Sequence, residues 1–290
     1  MKLVTFREAD GVRRPGVWTP EGIVDLAKHG IPGGRNGDLH EVARGGDAML
    51  ARIRALVASS QDRIPLAQAR LCAPIVEPGK IIGIGLNYID HCREANLAVP
   101  SVPVLFAKFP NSVVGPDDDI VFDRRICHEV DYEVELGFVI GKRATRVNAN
   151  DALNYVLGYT IAHDVSARDL QFRDAKQWDH GKSLDTFCPW GPWLVSRDEV
   201  PDPHSLDMRL LLNGEEMQKS NTSNMIFGIA QLVEFLSEAI TLEPGDLVVT
   251  GTPFGVGFSR NPPVYLKDGD ECVLEISGLG SLRNRVREVG

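Results

Sequence analysis

The feature that most constrains the fold is a succession of short apolar runs separated by glycine, proline or charged residues. Seven runs have the length and the β-branched and aromatic content of strands, and they lie between residues 80 and 280: KIIGIGL, PVLFAKF, DYEVELGFVIG, VLGYTIAHDV, SLDMRLLLNGE, DLVVTGTP and ECVLEISGLG. Helical signals are fewer. The sequence therefore predicts a β-rich α+β protein.

Two helices are predicted in this region. One is ALNYVLG, with Asn150 or Asp151 as its cap. The other covers residues 226 to 240, with the residues Thr222, Ser223 or Asn224 upstream as caps and an apolar face at i, i+3, i+4 and i+7 formed by Ile229, Leu232, Val233 and Leu236.

Residues 1–72 differ in texture from the rest of the chain. They contain short strand-like pieces, a glycine-rich loop (IPGGRNGD) and an amphipathic stretch (AMLARIRALVASS). Two prolines then precede the first strongly apolar run, as is typical of a linker. We therefore predict a small N-terminal α/β domain over 1–72 and a second domain over 73–290.

Composition and charge exclude several partner classes. The net charge is −9, and the 31 basic residues form no runs that would bind a phosphate backbone. No apolar run approaches the roughly 18 residues that a membrane span needs, and the N-terminus lacks the apolar core of a signal peptide. Five dispersed cysteines without a CxxC pair indicate reduced thiols. We expect a cytoplasmic protein that binds neither nucleic acid nor membranes.

The run DYEVELGFVIG places Asp131, Glu133 and Glu135 on one face of a predicted strand. Neighbouring carboxylates on such a face lie roughly 6 to 7 Å apart, so they repel unless water screens them or a cation binds them. A solvent-facing acidic strand and an oxygen site for a hard divalent cation both fit this stretch.

A further group of polar residues follows the run LGYTIAH. If Ser166 caps a helical turn, Asp164, Arg168 and Gln171 share one face at i, i+4 and i+7. That arrangement suits a metal together with a substrate carboxylate, which arginine can bind with two hydrogen bonds. An ion pair between Asp164 and Arg168 within the helix is the structural alternative.

Two other positions suit catalysis. Lys182 lies in an aromatic-rich stretch, where a desolvated ammonium can stabilise a developing oxyanion, although most lysines are simply solvated. His91 and Glu94 would face the same way on a short helix, as in a general base oriented by a carboxylate. A surface contact between them is the alternative.

Three other motifs are rejected. His163 is adjacent to Asp164, but neighbouring strand residues point to opposite faces, which argues against a two-histidine, one-carboxylate iron site. GIGLNY has Tyr88 where a dinucleotide-binding loop needs its third glycine. GTPFGVGF lacks the Gly-Lys-Ser/Thr of a phosphate-binding loop.

Six segments in order resemble the fumarylacetoacetate hydrolase superfamily from about residue 75 to residue 287: GIGLNYIDHCREAN, EVDYEVELGFVIGKR, AHDVSARDLQ, GKSLDTFCPWGPW, LNGEEMQKSNTSNMIF and LEPGDLVVTGTPFGVG. Residues 1–72 are similar to the small N-terminal domain of the longer bacterial members and of the domain-containing-protein-2 branch. The resemblance is strongest to that branch, through AHDVSARD and DTFCPWGP.

The resemblance implies a mixed β-sandwich roll with a small N-terminal domain, assembled as a homodimer. It implies that Glu133, Glu135 and Asp164 bind Mg²⁺ or Mn²⁺. The implied substrate and catalytic positions are Arg168, Gln171, Thr252 and Lys182, with His91 and Glu94 as a water-activating pair on a mobile lid. Asp131 is not a family ligand, and we expect it nearer the surface or in a hydrogen bond.

The resemblance further implies an enzyme acting on small 2-oxo acids. Our first hypothesis is hydrolysis of a C–C bond in an acylpyruvate-type or 2,4-dioxo acid, with Lys182 and the metal stabilising the pyruvate enolate that leaves. The alternative is an oxaloacetate tautomerase or decarboxylase that uses the same metal site. A metal-binding or assembly module without catalysis is the hypothesis from a different class.

Overall fold

The computed structural model describes residues 1–94, 96–173 and 177–290. Within them strands outnumber helices, which confirms the predicted β-rich α+β class. The strands are β1 Lys2–Arg7, β2 Arg13–Thr19, β3 Gly22–Asp25, β4 Arg70–Cys72, β5 Ile81–Gly85, β6 Val104–Lys108, β7 Val113–Val114, β8 Asp119–Asp123, β9 Val130–Asp131, β10 Val134–Ile140, β11 Val156–His163, β12 Ser166–Ala167, β13 Cys188–Ser196, β14 Asp207–Leu212, β15 Glu215–Asn221, β16 Leu247–Val249, β17 Glu271–Ile276 and β18 Gly280–Val289. The helices are α1 His40–Ser59, α2 Ile89–Glu94, α3 Ala149–Ala152, α4 Arg168–Gln171, α5 Trp178–Lys182 and α6 Ile229–Ala239.

The larger sheet contains 11 strands, nine of them in the order β3-β2-β1-β13-β11-β10-β16-β5-β6, with β4 on β1 and β7 on β13. Its central strands β10 and β11 are buried at every position. Both of their faces are therefore covered, which explains why their sequences are nearly continuous apolar runs.

A second sheet, β15-β14-β17-β18-β8, packs against the first. Strands β14 and β17 bury every second residue, as expected of a sheet with one face toward the core. One apolar cluster joins Phe138 of the larger sheet to Leu210 and Leu274 of the smaller one. The two layers thus form the predicted sandwich.

Helix α6 packs its predicted apolar face into this cluster, because Ile229, Leu232, Val233 and Leu236 are all buried. The predicted caps are wrong. Gly228 is the residue before the helix, and its N–H donates to Gln231 Oε1 at 2.9 Å. Residues 222–224 instead form a separate 3-10 turn. The helix predicted at ALNYVLG is misplaced: α3 covers Ala149–Ala152, so the predicted caps Asn150 and Asp151 lie inside it. A 3-10 turn follows, and Val156 begins β11.

The N-terminal segment extends the larger sheet. Strand β1 pairs antiparallel with β13, with Lys2 opposite Val195. The Nζ atom of Lys2 also lies 4.5 Å from the ring of Trp18 and 4.3 Å from the ring of Trp193, in cation–π geometry. The predicted division between 1–72 and 73–290 stays a prediction, but strands from both sides share one sheet.

The run DYEVELGFVIG is not one continuous strand. It divides at Tyr132 and Glu133 into β9, which pairs with β12, and β10, which pairs with β11. The break places the three acidic residues of this run in three different settings.

None of the helices in the described residues has the length and apolar character of a membrane span.

Candidate active site

Three predicted metal ligands meet in the interior. Glu133 lies between β9 and β10, Glu135 lies in β10, and Asp164 directly follows β11. Antiparallel pairing of β10 with β11 brings them together, and the N–H of Asp164 donates to the carbonyl of Glu133 at 3.0 Å. One oxygen from each carboxylate lies within 4.8 Å of the others, and all three side chains are buried. The hypothesis of a solvent-facing acidic strand is therefore wrong.

Two buried lysines pair with this cluster. Lys182 donates to Glu133 Oε2 at 2.9 Å and to Asp164 Oδ2 at 2.6 Å. Lys108, which the sequence analysis did not single out, donates to Asp164 Oδ1 at 2.6 Å and to the carbonyl of Val165 at 3.2 Å. Burial opposes the charge of Glu133, but Lys182 and Arg168 outweigh it and hold the pKa of that carboxyl at about 2.

Glu135 has the opposite environment. Its Oε2 accepts the N–H of Gly251 at 2.8 Å, and among the described residues no lysine or arginine lies within 4.0 Å of its carboxylate. Burial, followed by the charges of Asp164 and Glu133, raises its pKa well above the usual value. A buried carboxylate without a cation, next to two others, is a donor set that fits a hard divalent ion.

Arg168 begins the short helix α4 and is buried. Its Nε donates to Asp131 Oδ2 at 2.9 Å, its Nη2 to Glu133 Oε1 at 2.5 Å, and its Nη1 to Gln171 Oε1 at 2.8 Å. The alternative ion pair between Asp164 and Arg168 is wrong, because Asp164 precedes the helix and bonds to the lysines instead. Arg168 and Gln171 do share a face, as predicted.

Asp131 is not near the surface. It is fully buried and hydrogen-bonded, so the second half of its prediction holds and the first half is wrong. Besides Arg168, its carboxylate accepts the N–H groups of Gly257 at 2.7 Å and Phe258 at 3.1 Å. It therefore joins the arginine to the loop GTPFGVGF.

The predicted pair His91 and Glu94 lies on α2, where His91 is buried and Glu94 reaches the surface. The Nδ1 of His91 lies 3.6 Å from Glu94 Oε2, which is beyond hydrogen-bond distance. Both oxygens of Glu94 lie 3.1 Å from the N–H of Gly255. Gly255 has a φ of +96°, a conformation that favours glycine.

Thr252 lies in the same loop. Its hydroxyl donates to the carbonyl of Val134 at 3.1 Å and accepts Gln218 Nε2 at 2.9 Å. The strand before Thr252, β16, pairs with β10, and this pairing places the loop beside the carboxylates.

A cavity of about 320 Å³ gathers the predicted residues. Its polar wall consists of His91, Glu133, Glu135, Arg168, Gln171, Lys182 and Thr252. Its apolar wall consists of Ile84, Leu86, Leu97, Phe106, Phe172, Trp178 and Phe258. The remaining predicted site residues contact residues of this wall: Asp164 accepts a hydrogen bond from Lys182, and Glu94 Oε2 lies 3.6 Å from His91 Nδ1. The polar wall can therefore hold a cation and the anionic group of a substrate, and the apolar wall can contact the rest of that substrate.

His163 does not belong to the metal-ligand group. It is fully buried, and neither ring nitrogen has a hydrogen-bond partner among the described residues. Burial lowers its pKa to about 3, so it is neutral. The rejection of a two-histidine site thus agrees with the geometry.

The chain matches a family model. The model described as "Fumarylacetoacetate (FAA) hydrolase C-terminal" covers residues 80–287. A relative named oxaloacetate tautomerase FAHD2A, mitochondrial, from Bos taurus is 48% identical over 242 residues, which is 83% of this chain and 77% of the relative. Oxaloacetate tautomerase fahd2, mitochondrial, from Xenopus laevis is 44% identical over 292 residues, covering 99% of this chain and 90% of the relative.

Solved structures share the fold over the whole chain. Fumarylacetoacetate hydrolase from the psychrophilic Exiguobacterium antarcticum superposes with a TM-score of 0.84 at 36% identity, covering 100% of both chains. Maleylpyruvate hydrolase from Sphingobium sp. SYK-6, in complex with manganese(II) and pyruvate, gives a TM-score of 0.83 at 32% identity, again over 100% of both chains.

Proposed function

Because the chain belongs to the fumarylacetoacetate hydrolase family of enzymes, we propose that it is a divalent-metal-dependent oxaloacetate tautomerase, which interconverts the keto and enol forms of this 2-oxo acid. The observation that carries the proposal is the meeting of Glu133, Glu135 and Asp164 with Arg168 and Lys182 at one buried cavity. The name of the 48% identical bovine relative supports tautomerisation over hydrolysis, our first hypothesis.

Mg²⁺ or Mn²⁺ is the proposed cofactor, held by Glu133, Glu135 and Asp164. When bound, it would act as a Lewis acid toward the oxygens of the 2-oxo acid. The charges of the cluster support this assignment. Four buried carboxylates face three buried cations, and Glu135 has no lysine or arginine within 4.0 Å among the described residues. Burial and its acidic neighbours raise the pKa of Glu135, so a divalent ion there would stabilise its charged form. The four carboxylates are Asp131, Glu133, Glu135 and Asp164, and the three cations are Lys108, Arg168 and Lys182.

The substrate carboxylate would bind at Arg168, Gln171 and Thr252. A guanidinium has five N–H donors. Contacts with Asp131, Glu133 and Gln171 engage four of them, which leaves one Nη1 hydrogen for a ligand in the state described. A two-bond contact with a carboxylate would require Arg168 to release Gln171 or Glu133.

Proton movement would involve His91 and Lys182. In the keto form, the His91 Nε2 would take a proton from the carbon next to the 2-oxo group, and the electron pair would move to the oxo oxygen. The ammonium of Lys182 would stabilise that oxygen, which would then take the proton back from the imidazolium of His91, so that the enol forms and the base is regenerated. Glu94 lies on the Nδ1 side of His91 and would stabilise the imidazolium.

Hydrolysis of an acylpyruvate-type or 2,4-dioxo acid is the second candidate. His91 and Glu94 at the cavity favour it, because such a pair can deprotonate a water molecule. A similar chain, at 32% identity, is named maleylpyruvate hydrolase. Decarboxylation of oxaloacetate would use the same electron sink without water attack.

The test follows the ultraviolet absorbance of enol-oxaloacetate, acylpyruvates and 2,4-dioxo sugar acids with added Mg²⁺ or Mn²⁺. We expect fast loss of the enol signal that chelator abolishes and added metal restores. Full turnover after chelator treatment would refute the metal-dependent proposal. Faster cleavage of the acylpyruvates than tautomerisation of oxaloacetate would instead select the second candidate.

The variant His91→Ala tests the base that both mechanisms share. His91 would take the carbon-bound proton in tautomerisation and activate water in hydrolysis, so we expect either enzymatic rate, corrected for the slow reaction in buffer, to fall by about 10²- to 10⁴-fold. A variant with full activity would refute this role of His91.

Assembly and location remain proposals. We propose a homodimer, which light scattering of the purified protein would test. The bovine and frog relatives are named as mitochondrial proteins, so the cytoplasmic location predicted for this chain needs cell fractionation.

A further inference from the structure

Asp131 takes part in neither the proposed metal site nor the cavity wall, yet it is fully buried with its carboxylate saturated. Its Oδ1 accepts the N–H groups of Tyr132 at 2.8 Å and Gly257 at 2.7 Å. Its Oδ2 accepts the Nε of Arg168 at 2.9 Å and the N–H of Phe258 at 3.1 Å. A buried charge with this many partners fixes each of them in place.

The same carboxylate acts on Arg168 by two routes. Directly, Oδ2 contacts both Nε and Nη2, the latter at 2.8 Å. Indirectly, it holds the backbone of Phe258, whose ring lies 4.5 Å from the guanidinium carbon of Arg168. The guanidinium is therefore held at its edge by an ion pair and over one face by an aromatic ring.

The loop that Asp131 anchors also contacts the lid helix α2. The ring of Phe258 meets His91 edge-on at 6.4 Å, and Gly255 of the same loop bonds to Glu94. Arg260 braces the loop from outside, through the carbonyls of Gly255 and Met217. The position of Arg168 and the position of the lid thus depend on one backbone segment.

We infer that Asp131 is a positioning residue: it orients Arg168 for the substrate carboxylate and fixes the loop that joins this arginine to the lid helix. Gln171 and Glu133 contact Arg168 from the cavity side, where a substrate or a metal would compete with them. Asp131 is the partner on the far side from the cavity, so it can keep the guanidinium oriented while those contacts change. This inference rests on the proposed binding of a 2-oxo acid at Arg168.

The test is a double-mutant cycle of Asp131→Asn, Arg168→Gln and the pair. Asparagine keeps an acceptor for Gly257 and removes the charge beside Arg168. In the Arg168→Gln variant, the carboxylate of Asp131 still has three backbone N–H partners. Oxalate affinity with Mn²⁺ is measured by calorimetry, Mn²⁺ affinity is measured alone, and KM and kcat are measured for oxaloacetate.

We expect Asp131→Asn to weaken oxalate binding and raise KM by about tenfold, with a smaller change in kcat. Mn²⁺ affinity should change by less than about threefold. In the Arg168→Gln background, Asp131→Asn should have no further effect on oxalate, because it acts through the arginine. Asp246, buried and paired with Lys80 at 2.7 Å, supplies the matched control Asp246→Asn, which should leave oxalate affinity unchanged.

Additive effects of the two substitutions would overturn the inference, as would oxalate affinity unchanged in Asp131→Asn. A loss of Mn²⁺ affinity equal to the loss of oxalate affinity would overturn it too, since Asp131 would then act on the metal cluster. If Asp131→Asn does not fold, Asp131→Ser takes its place with the same thresholds. Wild-type protein that binds oxalate but turns over no 2-oxo acid would refute the proposed function alone, and wild-type protein that binds no oxalate would refute this inference.

Discussion

Glu133 and Glu135 are two positions apart, yet their carboxylates have opposite surroundings. Glu133 contacts Lys182 and Arg168, whereas Glu135 accepts one backbone N–H and faces Asp164 and Glu133, with no lysine or arginine of the described residues within 4.0 Å. In the metal-free protein, Glu133 is thus stabilised in its charged form and Glu135 is not. A charged carboxylate at Glu135 would therefore favour metal binding but lower the stability of the metal-free protein.

The substitution Glu135→Gln should therefore stabilise the metal-free protein while weakening its response to metal. We expect a gain of about 1 kcal/mol, typical of removing one unfavourable feature, or a melting temperature higher by roughly 2 to 4 °C. Thermal unfolding with and without Mn²⁺ measures both effects. Wild-type protein should gain about 2.7 kcal/mol from metal at 100 times its Kd, and the variant much less.

The control for this prediction is Glu243→Gln. Glu243 is about half exposed and pairs with Arg143 at the surface, so we expect a change below about 0.5 kcal/mol. Destabilisation of the metal-free protein by Glu135→Gln would contradict the prediction.

The sequence identified most residues of the site, but it identified their hydrogen-bond partners only in part. The identities of Glu133, Glu135 and Asp164 follow from matching motifs. Lys108 was missed because a single lysine in an apolar strand, VLFAK, gives no sign of the acid it meets 56 positions later in the chain. The role of Asp131 was missed because strand periodicity places it on the same face as Glu133 and Glu135. The break at Tyr132 and Glu133, which gives Asp131 a different environment, leaves no sign in that pattern.

At the scale of elements, the loop GTPFGVGF organises the site through its backbone. The N–H of Gly251 bonds to Glu135, that of Gly255 to Glu94, and that of Gly257 to Asp131. Three carboxylates with three different tasks thus share one loop. Glycine is needed here for other reasons: Gly251 has a φ of +101°, and a Cβ at residue 257 would collide with the carbonyl of Val264.

The substitution Gly257→Ala tests this loop. A methyl group at residue 257 would lie 2.5 Å from Asp131 Oδ1 and would collide with the carbonyl of Val264. The loop must then move away from Asp131, so we expect KM for the 2-oxo acid to rise by about tenfold or more and the melting temperature to fall by roughly 2 to 4 °C. Steady-state kinetics and thermal unfolding provide the measurements.

Gly79→Ala is the matched loop control. Among the described residues, a methyl group there would meet Asp246 Oδ1 at 3.0 Å, and Gly79 does not line the cavity. An unchanged KM in Gly257→Ala would show that the loop does not position the substrate-binding groups.

Elements with a regular apolar pattern were predicted well, whereas one central strand with two prolines was not. Strands β10, β11, β14 and β17 follow the predicted runs closely. Strand β13 was missed because Pro189 and Pro192 argue against a central strand. It nevertheless lies between β1 and β11, with register shifts in its pairing with β11.

At the scale of the whole molecule, the N-terminal segment and the sandwich share a second apolar core. Leu3 and Val24 of that segment pack in one cluster with Val139 and Leu194 of the larger sheet. The composition change near residue 73 indicated a boundary, but composition carries no information about which strands will pair across it.

Removal of residues 1–72 should therefore expose apolar surface and the edge of β13. Each large aliphatic side chain uncovered costs about 1.5 to 3 kcal/mol, so we expect the fragment 73–290 to be insoluble or to melt far below the full chain. Soluble yield, circular dichroism and thermal unfolding test this. The variant Lys2→Ala, which removes only the cation–π contacts, should melt within a few degrees of the wild type. A fragment that folds with unchanged stability would instead support two independent domains.

The pairing of β1 with β13 also has a consequence for synthesis on the ribosome. Lys2 pairs with Val195, and at roughly 5 to 20 residues per second the interval between them takes about 10 to 40 s to translate. Until then β1 has its earlier partners β2 and β4, and β4 covers only Thr5–Arg7 of the edge that β13 will share. The nascent chain therefore carries a short open strand end at Lys2 and Leu3 for most of its elongation, and a chaperone that covers it would protect it from pairing with another chain.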